Sequence, residues 1–530
     1  MTHAGTVMSG DDQVARSERR ARWLPVGVGL VVLLVALANI TPHLIGVFFD
    51  DAIYALQAKA IAEGHGFIYP QLPGAPHAIH YPPAFPLLLA LVWKLAPPFP
   101  ESTMWLKAVN PLLLGIAAWA ATRFAMRVLQ WPPLAAAAVV LLGFVSVPTL
   151  VLASVLLSEP LFLATIIPAL LAATTLVERG GMKWAVLAGI AAALVILTRT
   201  IGGVILPAAV LALLWERRWR ESAVFAAVTI ALVLPWQLYV WQWAPSFPDA
   251  LRGSYGPYLE WVMGGYRDGG ADLLLAVIGK NIADAWSFLG IFFSPLIAPA
   301  RPAAAILVIL AAAVGAIAAL TERRTRVLAL TAGAYLVVVF AWPYQIERFL
   351  WGAWPLLVLV TGYGFVRAHG ALKRGPRPGL AWGVVALAAF VAIGHATYSA
   401  RGLTSGWAGS ASARMSERML PAVRYAVSEP RLRGKRIASD IAPALALYTG
   451  DTVLSLDILQ VTDHLAEKTL RERAVVISIL DRAFEPDAYV LLPNSPIFPA
   501  FLQSRRDPAR HFREFTAPNL GVRAFLLDPR

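Results

Sequence analysis

The chain has 530 residues, of which 58% are hydrophobic and 15% charged, with a mean hydropathy of +0.63. A soluble domain needs a polar shell that this composition cannot supply. The net charge of +13 does not indicate nucleic acid, because Lys and Arg sit in small clusters between apolar segments, the orientation signal of a membrane protein. With no cysteine in the sequence, disulfides, thiol catalysis and Cys-ligated metal are excluded.

Apolar stretches of roughly 17–25 residues that enter lipid must be helical, since lipid offers the backbone no hydrogen-bond partner. Residues 1–22 are expected to form a cytoplasmic basic tail, disordered over about the first 20 residues. Arg16, Arg19, Arg20 and Arg22 precede the apolar run Leu24–Ala38. Ala36-Leu37-Ala38 resembles a signal-peptidase site, but the apolar character resumes through Leu44–Phe49, so an uncleaved first span is expected. Eleven spans are predicted, over 24–46, 104–128, 133–157, 159–178, 182–198, 200–215, 221–243, 301–320, 327–342, 349–367 and 380–400. Two weaker apolar stretches, 83–97 and 272–298, are interrupted by Pro or polar groups. Charge decides how these are treated. The clusters Arg16–Arg22, Glu216–Arg220, Glu322–Arg326 and Arg367–Arg377 belong together on the cytoplasmic side. If 83–97 crossed, Arg123, Arg127 and Glu216–Arg220 would fall outside, so 83–97 and 272–298 are expected to lie at the outer interface. Residues 23–400 then form the transmembrane domain, with external loops over 47–103 and 244–300. The tail 401–530 is richer in charge, and its short runs Arg436–Ser439, Val453–Leu456, Ala488–Leu492 and Val522–Leu527 have β character. It is expected to be a small extracytoplasmic α/β domain.

The sharpest feature is Phe48-Phe49-Asp50-Asp51-Ala52-Ile53-Tyr54, where the first span leaves the bilayer. Two adjacent carboxylates at an apolar boundary are costly. Desolvation and mutual repulsion should raise at least one pKa, which suits a general base or a cation ligand. The competing reading is an ordinary helix start, with Asp50 or Asp51 as N-cap. The following segment can place Ile53, Leu56, Ala60 and Ile61 on one face, as in a helix resting on the membrane surface. His77 and His80 precede Tyr81-Pro82-Pro83; they could bind metal or phosphate, or simply stabilise the loop. Glu159 stands between Ser158 and Pro160 and equally fits a helix N-terminus, with Ser158 as N-cap and Glu159 on the positive dipole end. Arg199 lies at an external turn and Arg348 just outside the span 349–367. Outer-leaflet arginines are not explained by the positive-inside rule, and they can hold a phosphate by bidentate hydrogen bonds. For Arg348 the alternative is a salt bridge to Glu347 or snorkelling to headgroups. Asp50, Asp51, Glu159, Arg199 and Arg348 all fall on one membrane face in the eleven-span topology. Carboxylates beside phosphate-binding cations suit transfer from a phosphate-linked lipid.

These residues resemble the motifs of the GT-C glycosyltransferases that use polyprenyl-phosphate sugars, in particular protein O-mannosyltransferases and aminoarabinose transferases acting on lipid A. The matching elements are Asp50-Asp51, His80-Tyr81-Pro82-Pro83 leading into Pro86-Leu87-Leu88-Leu89, Glu159-Pro160, Leu197-Thr198-Arg199, and Glu347-Arg348-Phe349 followed by Trp354-Pro355. The resemblance covers residues 20–400 and rests on order and spacing rather than any one motif. It implies a GT-C-like polytopic fold with juxtamembrane helices in the first external loop and an inverting reaction. It further implies Asp50 as the base toward an acceptor hydroxyl or amine, Asp51 and Glu159 as further catalytic acids, and Arg199 and Arg348 on the departing lipid phosphate. His77, His80, Tyr81, Tyr54 and Glu347 would line the substrate pocket. Glu159 stands where many relatives have Asp, and Phe349 where Tyr is common. Some relatives bind a divalent cation and others none, so no metal is assigned. The expected partners are a polyprenyl-phosphate-linked sugar, membrane lipids, and a lipid, glycan or protein acceptor. The abundance of Ala, Arg and Trp suggests a GC-rich bacterial genome, hence a cytoplasmic membrane with the site facing outward. The rival class is a transporter or flippase of lipid-linked glycans, which should show internal repeats and ionisable groups at mid-bilayer. An O-antigen-ligase type enzyme is a second rival, but its key groups would not directly follow the first span.

Overall fold

The computed structural model describes residues 10–504, 512–516 and 521–527. In chain order its helices are α1 Gly10–Ala38, α2 Asp50–Ala62, α3 Ala84–Leu95, α4 Thr103–Arg127, α5 Pro133–Phe144, α6 Val147–Ser154, α7 Glu159–Arg179, α8 Met182–Thr198, α9 Ile205–Trp215 and α10 Trp219–Trp243. They continue with the short α11 Arg252–Tyr255, then α12 Tyr258–Phe293, α13 Arg301–Thr321, α14 Arg326–Phe340, α15 Glu347–Gly352, α16 Trp354–Arg374, α17 Leu380–Thr404 and α18 Trp407–Ser428. The result is a polytopic helical bundle. From Gly10 onward the basic tail is already part of α1, while residues 1–9 of that expected tail lie outside the described residues.

Among the described residues seven helices are long and apolar enough to cross a membrane, or eight if α5 and α6, bent by 58°, count as one broken span. Eleven is therefore too many by this measure. The expected spans 24–46, 182–198, 200–215 and 327–342 correspond to apolar helices of only 10–17 residues, and about 17 residues at ~1.5 Å rise reach only ~25 Å. Conversely, α12, expected to be interfacial from 272 onward, passes on length and composition. Its contacts keep it at one end of the bundle. Tyr266 Oη donates to the Ala341 carbonyl at 2.6 Å and Asn281 Nδ2 to the Trp342 carbonyl at 3.0 Å. Phe292 packs edge-on to Trp354. Both ends of α12 thus meet the connection from α14 to α16, and a kink at Gly270 (φ 67°) folds the helix back along it.

The charge clusters between spans gather at the opposite end. Glu216 binds Arg323 at 3.2 Å and also Arg326, while Glu322 binds Arg367 at 2.6 Å. Members of charge clusters far apart in the sequence thus pair with one another at this end.

The C-terminal part forms a five-stranded sheet of β1 Ile437–Ser439, β2 Val453–Ser455, β3 Ala488–Leu491, β4 Phe512–Glu514 and β5 Arg523–Leu527, in the order β2-β1-β3-β5-β4. The β1 strand runs parallel to β2 and β3, and β5 runs antiparallel to β3 and β4. Helices α19 Ala442–Thr449 and α20 Leu470–Phe484 make the crossovers, and α21 Ile497–Ser504 follows β3. Strands β1, β2 and β3 are buried at every position, as parallel strands covered on both faces require.

This sheet unit is packed on the first loop of the bundle. Val453 N donates to the Gln71 carbonyl at 2.9 Å, Ile45 N to Tyr448 Oη at 3.1 Å, and one buried apolar cluster runs from α2 and α3 into the sheet. The consequence for α2 is a correction. Asp51–Ala58 and Ala60 are all buried, so α2 does not rest on a surface with a wet face; α3 and α19 enclose it. Helix α3 does keep an open face, with Leu87, Leu91 and Leu95 exposed.

Candidate active site at the carboxylate–arginine cluster

Four charged side chains from four distant segments meet at the α14–α16 end of the bundle. Arg348 donates from Nη1 to Asp50 Oδ2 and from Nε to Glu159 Oε1, and Arg199 Nη1 lies 2.7 Å from the same Glu159 oxygen. Glu159 is 1% exposed, Arg199 12%, Asp50 17% and Arg348 29%. The cluster is therefore sealed at Glu159 and open toward Asp50 and Arg348. Its two carboxylates and two guanidiniums sum to zero charge.

Local structure explains how each group is delivered. Glu159 opens α7, with Pro160 in the first turn, so its carboxylate sits on the positive end of the helix dipole. Arg199 is the extended C-cap of α8 (φ −148°, ψ 133°), where a cation meets the negative end. Arg348 is in the first turn of α15, a position disfavouring cations, so the two carboxylates hold it there against the dipole. The close approach of α15 depends on Gly352, where an added Cβ would come within 3.0 Å of Glu159 Cγ.

Asp50 follows a strained turn. Phe49 has φ 62° and ψ −65°, and Asp50 N donates to the Phe48 carbonyl at 2.6 Å; this is the rare, strained form of γ-turn. Strain of this kind at a binding or reacting residue persists only where the surroundings enforce it. The Asp50 carboxylate also accepts from Tyr81 Oη through Oδ1. Burial works against ionising Asp50, but Arg348 and the Tyr81 hydroxyl outweigh it and hold the carboxyl below its usual range.

Asp51 is turned away from the cluster. Its oxygens accept from Gly46 N at 2.7 Å and Phe48 N at 3.0 Å, so it closes the 46–48 loop rather than facing the pocket. Burial pushes its carboxyl up to about 6, against those two backbone donors. The expected rise in one carboxyl thus falls on Asp51, the member that faces away. Gly46 has φ 111°, and a Cβ there would strike Ala444 at 2.5 Å, so this loop needs glycine to fit beneath α19.

Of the expected pocket residues, Tyr54 reaches the cluster through Ser158, their hydroxyls 3.1 Å apart. His80 packs on Tyr81 and Tyr258 with ring centroids 4.6 and 3.7 Å away, and its Nδ1 lies 2.5 Å from the Gly256 carbonyl. Burial pushes its pKa down to about 4 despite Gly256 and Asp50, so it is a neutral Nδ1–H donor. His77 is elsewhere, stacked on Trp243 at 3.5 Å and bonded to Tyr239 Oη at 2.9 Å. Glu347 forms no ion pair with Arg348 among the described residues, and its Oε2 is buried without a hydrogen-bond partner. Among the described residues no group of three or more His, Asp or Glu side chains gathers as a metal site.

Sequence reasoning missed two members. Ser158, expected as an N-cap, makes no side-chain cap bond; its Oγ instead receives Arg199 Nη1 at 3.0 Å. Phe349 lies under the Arg199 guanidinium, 5.4 Å from ring centroid to Cζ, a cation–π contact. The signal for both was adjacency to an assigned residue, which sequence spacing alone does not turn into a contact.

No family model and no curated protein matches the sequence. Solved structures do. ArnT from Cupriavidus metallidurans, crystallised with undecaprenyl phosphate, aligns at TM-score 0.54 and 14% identity over 95% of this chain and 97% of that one. The Archaeoglobus fulgidus oligosaccharyltransferase tethered to an acceptor peptide aligns at 0.55 and 12% identity over 96% and 74%. The chain shares their fold. The likeness extends through the C-terminal part, since almost the whole chain is aligned in both cases.

Proposed function

We propose that the protein is a membrane glycosyltransferase. It takes a sugar from a polyprenyl-phosphate donor and passes it, with inversion, to a hydroxyl or amine of a lipid, glycan or protein acceptor. The observation that carries this reading is Arg348 gripping Asp50 and Glu159 together, in a fold shared with a protein crystallised on undecaprenyl phosphate.

The charge balance suggests the order of events. The cluster is neutral when closed, so a lipid phosphodiester, with one negative charge, must compete with a carboxylate for an arginine. Glu159 is buried and shared by two arginines, whereas Asp50 is the more open partner. The phosphate therefore displaces Asp50 from Arg348 and takes up its fork, with Arg199 behind Glu159 adding field. Freed from Arg348 and still desolvated, Asp50 becomes a stronger base at the moment the donor is in place. The acceptor oxygen or nitrogen attacks the anomeric carbon and its proton passes to Asp50. The bond from that carbon to the phosphate oxygen breaks, and the departing polyprenyl phosphate remains on Arg348. We assign this site and the C-terminal sheet to the side away from the cytoplasm because they lie at the end of the bundle opposite Glu216, Glu322, Arg323 and Arg367, the clusters that the positive-inside rule keeps cytoplasmic. A flippase is disfavoured because the charges collect at the two ends of the bundle rather than along its middle.

The test is incubation of purified protein with undecaprenyl- or decaprenyl-phosphate sugars, measuring release of the free polyprenyl phosphate. Turnover by the parent that is lost in Asp50→Asn supports the reading. An unimpaired Asp50→Asn enzyme removes Asp50 from the mechanism.

A further inference from the structure

The connection from β2 to α20 leaves the C-terminal sheet and reaches the turn between α14 and α15 that presents Arg348. It is braced from within. The buried Lys468 ammonium donates to Asp457 Oδ1 at 3.1 Å, to the Ile458 carbonyl at 2.7 Å and to Asp463. Gln460 and Asp463 cap a single 3-10 turn, Val461–His464, which sets His464 against α12. There His464 Nε2 lies 2.6 Å from Asn281 Oδ1. Asn281 is fully buried and spends its amide hydrogens on the carbonyls of Phe340 at 2.9 Å and Trp342 at 3.0 Å. Its Oδ1 can therefore only accept, which makes His464 Nε2–H the donor. Phe340 is the last residue of α14, where helix carbonyls lack partners of their own.

Trp342 is where this connection meets the carboxylate–arginine cluster. Its ring lies 5.3 Å from that of Phe349, which sits beneath the Arg199 guanidinium. The same ring lies 5.5 Å from Tyr258, and Tyr258 lies 6.2 Å from Tyr81, the donor to Asp50. A second tie reaches Trp342 from the same connection. Trp261 Nε1 donates to the Leu459 carbonyl at 3.2 Å, and its ring packs edge-on against Trp342 at 6.2 Å. Two contacts thus run from residues 459–464 to Trp342, and two run on from Trp342, one toward Arg199 and one toward Asp50. A buried polar network whose members are paired is stiff, and misplacing reacting groups by about 1 Å can cost about 10²-fold in rate.

On the premise that the cluster transfers a sugar, we propose that the β2–α20 connection is a positioning arm of the catalytic site, in which His464, through Asn281 and Trp342, holds the Arg199 and Asp50 sides of the cluster at their working separation. His464 touches no reacting atom; it is a positioning residue. Without its N–H, Asn281 Oδ1 is left buried and unpaired. The amide can relieve that cost only by turning away from the Phe340 and Trp342 carbonyls, which releases the Trp342 backbone and ring together. The C-terminal sheet unit is in this way a working part of the transfer site rather than an appendage.

Hydrogen exchange and turnover of the full chain in detergent test this. The Ala341 and Trp342 amides, bonded to the Val337 and Val339 carbonyls, should exchange about tenfold faster in His464→Ala, while the amides of α7 keep the parental rate. In the same variant kcat with undecaprenyl- or decaprenyl-phosphate sugars should fall about tenfold, one hydrogen bond's worth of positioning, with the unfolding midpoint close to parental. His464→Gln, whose side-chain amide can donate to Asn281, should restore both readings. Added to Asn281→Ala, His464→Ala should cost nothing further, as expected of two members of one relay. Should Asn281→Ala fail to fold, Trp261→Phe takes its place; it keeps a ring but loses the bond to Leu459, and should also speed exchange at Trp342 and lower kcat. Parental exchange and turnover in His464→Ala overturn the proposal, as does a loss that His464→Gln leaves unrepaired. Faster exchange with unchanged kcat overturns the positioning role. A parent that turns over no polyprenyl-phosphate sugar defeats the transferase reading instead, and exchange in the His464 variants then still decides whether the arm holds Trp342.

Discussion

Asp50 and Asp51 are neighbours in the chain, yet their carboxylates serve different structures. Asp50 points at Arg348 and Tyr81, and Asp51 at the backbone of Gly46 and Phe48. Consecutive residues at a helix start project about 100° apart, so only one can face a given pocket. Two substitutions separate their roles. Asp50→Asn should lower turnover by about 10²–10⁴-fold, the range for losing a general base, while donor affinity rises, because the phosphate no longer competes with a carboxylate for Arg348. Asp51→Asn should cost about tenfold or less, through loosening of the loop. Steady-state rates with donor titration distinguish them, and equal losses would contradict the split.

Arg348 is held by two carboxylates, so its removal strands Asp50. Breaking a buried pair by deleting one partner costs about 3–5 kcal/mol. With Arg348 part exposed and Glu159 still neutralised by Arg199, about 2–3 kcal/mol is expected for Arg348→Ala, read as a lowered unfolding midpoint. Arg348→Lys should recover most of that stability but not donor binding, because a point charge cannot form the bidentate grip.

Ser158 ties Tyr54 to Arg199 through a single hydroxyl. Ser158→Ala should remove about 1–2 kcal/mol of positioning, seen as a roughly tenfold weaker donor affinity with near-parental stability. An unchanged donor affinity would take Ser158 out of the site.

Two groups near the site titrate in opposite senses. His80 stays neutral down to about 4, while the unfolded chain takes its proton near 6.5. Its contribution to stability is therefore lost as pH falls from 6.5 to 4. Asp51 is protonated from about 6 in the folded state and only near 3.9 when unfolded, so acidification over that window stabilises the fold. The two nearly offset. His80→Asn should gain thermal stability on acidification from pH 6.5 to 4 relative to the parent, and Asp51→Asn should lose it. Melting curves across that range decide the matter, and parallel curves for all three proteins would contradict both assignments.

The γ-turn at Phe49 predicts the order of two substitutions, because a φ of 62° is open to glycine and strained for alanine. Phe49→Gly should be more stable than Phe49→Ala by about 1 kcal/mol, although both lose the ring contact with Tyr255. Unfolding midpoints of the two variants, compared side by side, provide the check.

Much of the site was legible because its chemistry costs free energy wherever it is unexplained. An acidic pair beside an apolar run, Glu159 before a proline, and arginines set apart in sequence from the basic clusters between spans all need partners. Sequence order could not say which partners. Asp51 and His77 carry the right chemistry but face the 46–48 loop and Trp243, and Ser158 was placed as a cap when its hydroxyl serves Arg199.

Composition and charge periodicity fixed the helical membrane character and the grouping of Glu216, Glu322, Arg323 and Arg367 at one end, because bilayer solvation acts on each segment alone. Three-dimensional packing alone decided that α2 is enclosed beneath the sheet unit, that α12 folds back along one end, and that Arg348 bridges Asp50 to Glu159. Those outcomes depend on contacts between residues up to hundreds of positions apart, and no local free energy in the chain distinguishes them from their alternatives.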